Sequence, residues 1–513
     1  MPQPLPLLIS ALLEPSRYPH AVQSVELIET HISWLLLAGE FAYKIKKPIT
    51  LPFLDYGTLA KRRRCCAQEL RLNRRYAADI YLNIVPITGT AADPSFDKDG
   101  LPIEYAVKMR RFDEAGRLDH LCACGELCAA QVSALAQTVA EFHHNAAIAG
   151  PETRFGLPQA VIAPVLANFT ELQAQLTDTA CLAELKTLLM WTQAEFKALA
   201  PRFRTRKSAG KIRECHGDLH LGNIVLIDGK VRLFDCIEFN EDLRWIDVAS
   251  DIAFSYVDLI DHQQPGLAAW LLNEWLSVSG DYDAVPLLRF YGVYRALVRA
   301  KVAAIASQQH NTEIPADIST DISTDVCKGI TPLRQYMSLA GKLAAPKKQK
   351  LIISHGLAAC GKTSASTSLL LQDSEANTLR LRSDVERKRL FGLSAAASSN
   401  SGLNDKIYSE AAHADTYARL HELAAGLLAA GWSVVVDAAF LKAAERNAFH
   451  ALAMKMNAAF GILAPQASAA ELRTRILARL AQGHDASEAT LEVLAQQITS
   501  IEPLNATERS YLL

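Results

Sequence analysis

Apolar and polar positions fall into stretches of different period, and these predict the elements in chain order. Leu, Val and Ile at mixed spacing predict a helix over residues 7–29. Ser33–Ala38 and Phe41–Lys46 read as two strands about a Gly39-Glu40 turn, with Lys44 and Lys46 on one face of the second. A basic helix follows over 58–78, then strands over 80–87 and 103–109. Helical spacing returns over 129–147 and 165–200, and a basic stretch, 202–213, leads onward. Ile224–Ile227 and Val231–Phe234 predict short strands joined at Asp228-Gly229, a hairpin turn signal. Helices are expected over 291–301 and from about 327 to 343. Residues 307–350 read as a joint, because the tandem run Asp317-Ile-Ser-Thr-Asp-Ile-Ser-Thr-Asp325 is unsuited to a core. Beyond it come a strand at 350–355, an apolar strand at 434–437 and a helix over 471–479.

Composition bounds the answer without naming a function. A chain of 513 residues exceeds one ordinary domain, and half of its residues are apolar, enough for two or three cores. A formal charge of −2 gives no general reason to expect nucleic acid or an anionic membrane as partner. The N-terminus lacks a signal-peptide pattern and no apolar run is long enough to span a bilayer, so a cytoplasmic protein is expected. Ten cysteines in so long a chain read as reduced thiols. Cys122, Cys124 and Cys128 lack a paired set at zinc spacing. His143 and His144 are neighbours on a helix and share no face, which favours packing over metal binding.

The candidate chemistry centres on His216-Gly-Asp-Leu-His-Leu-Gly-Asn223 and Leu233-Phe-Asp-Cys236. The first segment enters the predicted hairpin and the second leaves it, so Asp218, Asn223 and Asp235 can converge. Phosphoryl transfer needs a carboxylate that takes the proton of the attacking hydroxyl, and oxygen ligands that hold Mg²⁺ against nucleotide phosphates. Asp218 suits the first task, and Asn223 and Asp235 suit the second. The competing reading is a polar loop whose Asp and Asn only cap turns.

This order resembles the catalytic and metal loops of protein kinases, and its wording is closer to the aminoglycoside and choline phosphotransferase branch. That resemblance implies a two-lobed, α+β kinase-like domain over about 1–335, with a small lobe to about 112 and a large lobe over about 113–305. It also implies a strand lysine on the α- and β-phosphates and a helix carboxylate that holds it. Lys44, in Phe41-Ala-Tyr-Lys44, is the expected lysine, with Lys46 as alternative, and Glu69 is the expected carboxylate. The hinge that meets adenine falls at Met109. No Gly-rich loop precedes the lysine strand, and Thr30, His31 and Ser33 are candidates to line the phosphates. Asp251 resembles the aspartate that braces the catalytic loop, with helix capping as the other reading. Arg295 and Arg299 share a helix face that is expected to meet solvent.

A second nucleotide site is written into Gly356-Leu-Ala-Ala-Cys-Gly361-Lys362-Thr363, a complete Walker A loop between a strand and a helix. There the glycines let backbone N–H groups wrap phosphates, Lys362 reaches the β/γ oxygens, and Thr363 ligates Mg²⁺. Asp384-Val-Glu-Arg387 resembles the acceptor-binding segment of small P-loop kinases such as gluconate kinase, polynucleotide kinase and the zeta-toxin group. Asp437 ends an apolar strand as a Walker B-like ligand would, and Arg475 and Arg479 resemble lid arginines.

The two halves together resemble bacterial proteins in which an aminoglycoside-phosphotransferase-like domain is fused to a P-loop kinase, or AAA family, domain of α/β architecture, here 346–513. The resemblance implies two ATP/Mg²⁺ sites, each for phosphoryl transfer to a small-molecule hydroxyl. It leaves the acceptor open, since a fold does not fix it. Two other readings stand beside it: a nucleotide sensor with one silent lobe, and a polynucleotide-kinase-like C-terminal activity that needs a basic stripe near Arg380, Arg382 and Arg387.

Overall fold

A computed structural model describes residues 5–51, 54–96, 98–312, 322–395, 397, 406–482 and 490–513, with side chains omitted at 306–312, 322–331, 406 and 479–482. The chain packs as two compact units. The first comprises residues 1–127, 145–258 and 290–343; the second comprises 128–144, 259–289 and 344–513.

The first unit starts with an antiparallel sheet in the spatial order Val25–Glu29, Ser33–Ala38, Phe41–Lys46, Glu104–Arg110, Tyr81–Gly89, Pro94–Ser95. The helix expected over 7–29 is instead a short helix, Leu7–Leu12, followed by a 3₁₀ turn and the edge strand. Pro15 and Pro19 withhold N–H groups from any continuing helix. Val25-Glu-Leu-Ile-Glu29 then pairs with Trp34–Ala38. One sheet face buries Ile9, Leu12, Trp34, Leu36, Tyr43 and Ile45. The helix Leu59–Asn73 crosses the other face, where Cys66, Ile80, Tyr81 and Val107 meet Val225 of the hairpin.

The hairpin forms as its sequence predicts. Ile224–Ile227 pairs with Lys230–Leu233. Asp228 (φ 49°) and Gly229 (φ 72°) take the two left-handed positions of a tight turn. The helix Thr179–Ser208 runs into the basic stretch, ends within it and precedes the strand Ile212–Glu214, which pairs with Trp245–Asp247. Ile322–Ala344 is helical; residues 313–321, with most of the tandem run, lie outside the described residues.

The second unit holds a parallel sheet in the order Thr378–Arg382, Ser433–Asp437, Lys350–Ser354, Ala459–Leu463. Near-continuous apolar runs such as Val434-Val-Val436 suit strands covered on both faces. The helix Pro265–Ser279 packs in this unit against Lys362–Leu371 and the edge strand Thr378–Arg382. Among the described residues, no helix is long and apolar enough to cross a membrane.

Candidate active sites

The first site lies against the antiparallel sheet, where a cleft of about 860 Å³ opens. Thr30, Ser33, Lys44, Met109, Phe234 and Asp235 line it; His31 and Lys46 are not among its lining residues. Lys44 Nζ lies 3.0 Å from Glu69 Oε1 and is also paired with the Asp235 carboxylate. Burial works to neutralise Lys44, but the carboxylates of Asp235 and Glu69 outweigh it and hold the ammonium above the usual lysine range. Lys46, 1% exposed, turns from the cleft to Glu69 Oε2 at 2.6 Å and to Glu238, with Tyr56 Oη at 3.3 Å.

Asp235 has φ 62°, a left-handed backbone uncommon outside glycine, and its N–H donates to Tyr81 Oη at 3.0 Å. The next N–H, of Cys236, donates to Asn73 Oδ1 at 2.9 Å, so the helix that carries Glu69 also fixes this loop. Asn223 donates from Nδ2 to the main-chain oxygen of Asp218 at 3.0 Å and to its Oδ2 at 3.2 Å. That leaves Asn223 Oδ1 as an acceptor, and with the Asp235 carboxylate it makes an all-oxygen donor set suited to a hard cation such as Mg²⁺. His220 Nε2 lies 3.5 Å from Asp218 Oδ2. Burial pushes the Asp218 carboxyl up, but neighbouring His220 and His216 more than offset it and hold it well below the usual carboxylate range.

The loop itself is held by buried groups. The N–H groups of His216 and Gly217 donate to Asp251 at 3.1 and 2.9 Å, while Asp247 pairs with Arg206 at 2.6 Å and caps Ala249. The two aspartates thus divide bracing from capping. Gly217 is required: its φ is +87°, and a Cβ would lie 2.7 Å from the Leu243 carbonyl. Arg295 does not face solvent as expected. It is 3% exposed and donates to the carbonyls of Ser250 (3.0 Å) and Gly217 (3.1 Å), tying helix to loop. Arg299 is likewise drawn inward, 3.3 Å from Tyr336 Oη. Sequence reasoning missed Tyr56, Tyr81, Glu238 and these arginines as parts of the site's support. Their partners are mainly distant residues and main-chain oxygens, which leave no local spacing to read.

The second site is the loop between Lys350–Ser354 and the helix Lys362–Leu371. Gly356 (φ 144°), Ala359 (φ 63°) and Gly361 (φ 104°) give it positive-φ turns. Lys362 Nζ lies within the loop, 2.9 and 2.7 Å from the carbonyls of Gly356 and Leu357, and Thr363 is the second residue of the helix. Buried Asp437 ends its strand and accepts from Ser366 Oγ at 3.4 Å. Asp384 lies in the first turn of the helix Ser383–Leu390, with Arg387 Nη1 3.1 Å from its Oδ1. Arg475 reaches the Ala359 carbonyl at 3.3 Å; the side chain of Arg479 lies outside the described residues. Backbone amides at a helix N-terminus, a lysine and hydroxyl and carboxylate oxygens fit a magnesium nucleotide. Of the three arginines named for a nucleic-acid end, Arg380 is buried over Trp270, 3.7 Å from Glu274, Arg382 Nε lies 4.0 Å from Asp437, and Arg387 covers Tyr408.

Comparison with known proteins matches two regions of the chain. Residues 124–288 match the Phosphotransferase enzyme family (APH), and residues 351–504 match the AAA domain family. The chain joins an APH-like phosphotransferase region to an AAA-type ATP-binding domain. Asp218, Asn223 and Asp235 lie within the phosphotransferase match, and the Walker A loop lies within the AAA match. An uncharacterized protein of Mycobacterium tuberculosis, Rv2004c, is 28% identical over 475 residues, covering 92% of this chain and 89% of that protein. A choline/ethanolamine kinase family protein from Mesorhizobium loti is similar at 9% identity and TM-score 0.37, covering 65% of this chain and 99% of its own. A putative kinase from Chloroflexus aurantiacus is similar at 23% identity and TM-score 0.25, covering 31% of this chain and 84% of its own.

Proposed function

We propose that the chain is an ATP-dependent phosphotransferase with two nucleotide sites, each passing a phosphoryl group to the hydroxyl of a small molecule. The observation that carries this reading is the pairing of Lys44 and Asp235 on one cleft, with buried Glu69 3.0 Å from the lysine and Asn223 hydrogen-bonded at 3.2 Å to the Asp218 carboxylate. In the first site, Lys44 binds the α- and β-phosphates of ATP, and backbone groups near Met109 meet the base. Asp218 orients the acceptor hydroxyl and takes its proton as the new oxygen–phosphorus bond forms. The bond between the γ-phosphorus and the β,γ-bridging oxygen breaks, and ADP leaves with the electron pair. Asn223 and Asp235 would hold Mg²⁺, which supplies charge neutralisation at the phosphates. In the second site, the loop amides and Lys362 bind the triphosphate, and Thr363 and Asp437 would hold Mg²⁺. Asp384 activates the acceptor, Arg387 binds it, and Arg475 and Arg479 neutralise the moving group.

The test is binding stoichiometry. Calorimetric titration with MgATP is expected to give two sites, with Lys44→Met and Lys362→Ala each removing a different one. Two sites that persist in Lys44→Met would overturn the assignment of the first cleft.

A further inference from the structure

The strand that carries the phosphate lysine carries a second one, and the second does not face the cleft. Lys46 is 1% exposed, and its ammonium is shared by Glu69, Glu238 and Tyr56. Glu69, wholly buried, is clamped by two lysines at once, Lys44 on Oε1 at 3.0 Å and Lys46 on Oε2 at 2.6 Å. Glu238 lies three residues beyond Asp235, so the clamp joins the lysine strand, the Glu69 helix and the Asp235 loop.

We propose that Lys46 is a positioning residue that keeps Glu69 electrically satisfied, so that Lys44 is free to move its charge from Asp235 to the phosphates of the nucleotide. This rests on the reading of the first cleft given above. A carboxylate as buried as Glu69 must keep a cationic partner. If Lys44 were that sole partner, the attraction that positions it would also hold it away from a nucleotide. Lys46 removes the conflict, and Glu238 balances the charge that Lys46 brings. Lys44, Lys46, Glu69 and Glu238 sum to zero, which leaves Asp235 as the partner that Lys44 exchanges for phosphate.

The experiment uses the full chain carrying Lys362→Ala, so that only the first cleft is read, and titrates it with MgATP and separately with adenosine. Lys46→Met is expected to weaken MgATP about tenfold or more, the scale of a lost charge-assisted contact, and to leave adenosine within about twofold. Equal weakening of both ligands would make Lys46 merely structural and overturn the proposal, as would unchanged MgATP binding. Lys44→Met separates this proposal from the reading beneath it. If MgATP binding survives that change, the phosphate-lysine assignment itself is wrong, whatever Lys46 does. If Lys46→Met yields no folded protein, Glu238→Gln decides the matter. It leaves Lys46 undivided on Glu69, so MgATP should bind about threefold tighter with adenosine unchanged. Unchanged or weaker MgATP binding in that variant contradicts the proposal.

Discussion

Asp218 carries the sharpest expectation at the residue scale. Asp218→Asn keeps the shape of the loop but removes the proton acceptor, so transfer at the first site should fall about 10²- to 10⁴-fold with MgATP binding retained. Steady-state turnover beside calorimetry checks both halves. Because histidine neighbours hold its carboxyl below the usual range, Asp218 is ionised throughout the ordinary working range. The pH profile should therefore show no loss from this group down to about pH 5. Glu69 gives a stability prediction of the same sign. Burial disfavours its charge, the two lysines outweigh burial, and its carboxyl is held below the glutamate range. Its contribution is thus present above the unfolded value and is lost as pH falls through the folded one. Glu69→Gln should be destabilising at neutral pH, and denaturant melts should show the gap to wild type shrinking below about pH 4. Asp218 and Lys44 could be singled out as candidates because spacing and strand context bear on them. Arg295 was not, since its i,i+4 relation to Arg299 is the same whether the face meets water or the carbonyls of Ser250 and Gly217.

Elements show the same division between local and distant causes. The hairpin at 224–233 was legible because Asp-Gly between apolar runs specifies its turn. The edge strand Val25–Glu29 was not, because its apolar spacing suits either period and pairing with Ser33–Ala38 decides it. In the second unit the free edge of Thr378–Arg382 is closed by a side chain. Asn273 donates to the Thr378 carbonyl at 2.9 Å and accepts from the Arg380 N–H at 2.5 Å, standing where a neighbouring strand would be. Asn273→Leu leaves both main-chain groups buried without partners and should cost about 2–4 kcal/mol, read as a shift in the denaturant midpoint.

Across the whole molecule, each compact unit draws on three stretches of sequence. In the second, residues 259–289 fall largely inside the phosphotransferase match, yet they pack with residues 344–513. Gly266 is so close to Leu371 that a Cβ would lie 2.0 Å from its carbonyl oxygen. Tyr282 Oη meets Glu386 at 3.1 Å, and Arg389 donates to the Ser277 carbonyl at 2.7 Å, both supporting the helix that carries Asp384 and Arg387. A fragment of residues 346–513 alone should lack cooperative unfolding and be digested rapidly by protease, while the full chain resists. A fragment as resistant as the full chain would show that residues 259–289 are dispensable. The boundary expected near residue 346 rests on a change in composition, whereas the packing of an earlier helix on the later sheet leaves no mark in local sequence.

The central claim is transfer itself. The direct measurement incubates the chain with γ-labelled ATP and a pool of sugars, amino alcohols, nucleosides and aminoglycosides, and follows the label in wild type, Asp218→Asn and Lys362→Ala. The account predicts label on at least one alcohol, with each labelled product lost in only one of the two variants. ATP bound at both sites with no label on any alcohol, or labelling that survives both substitutions, would contradict it.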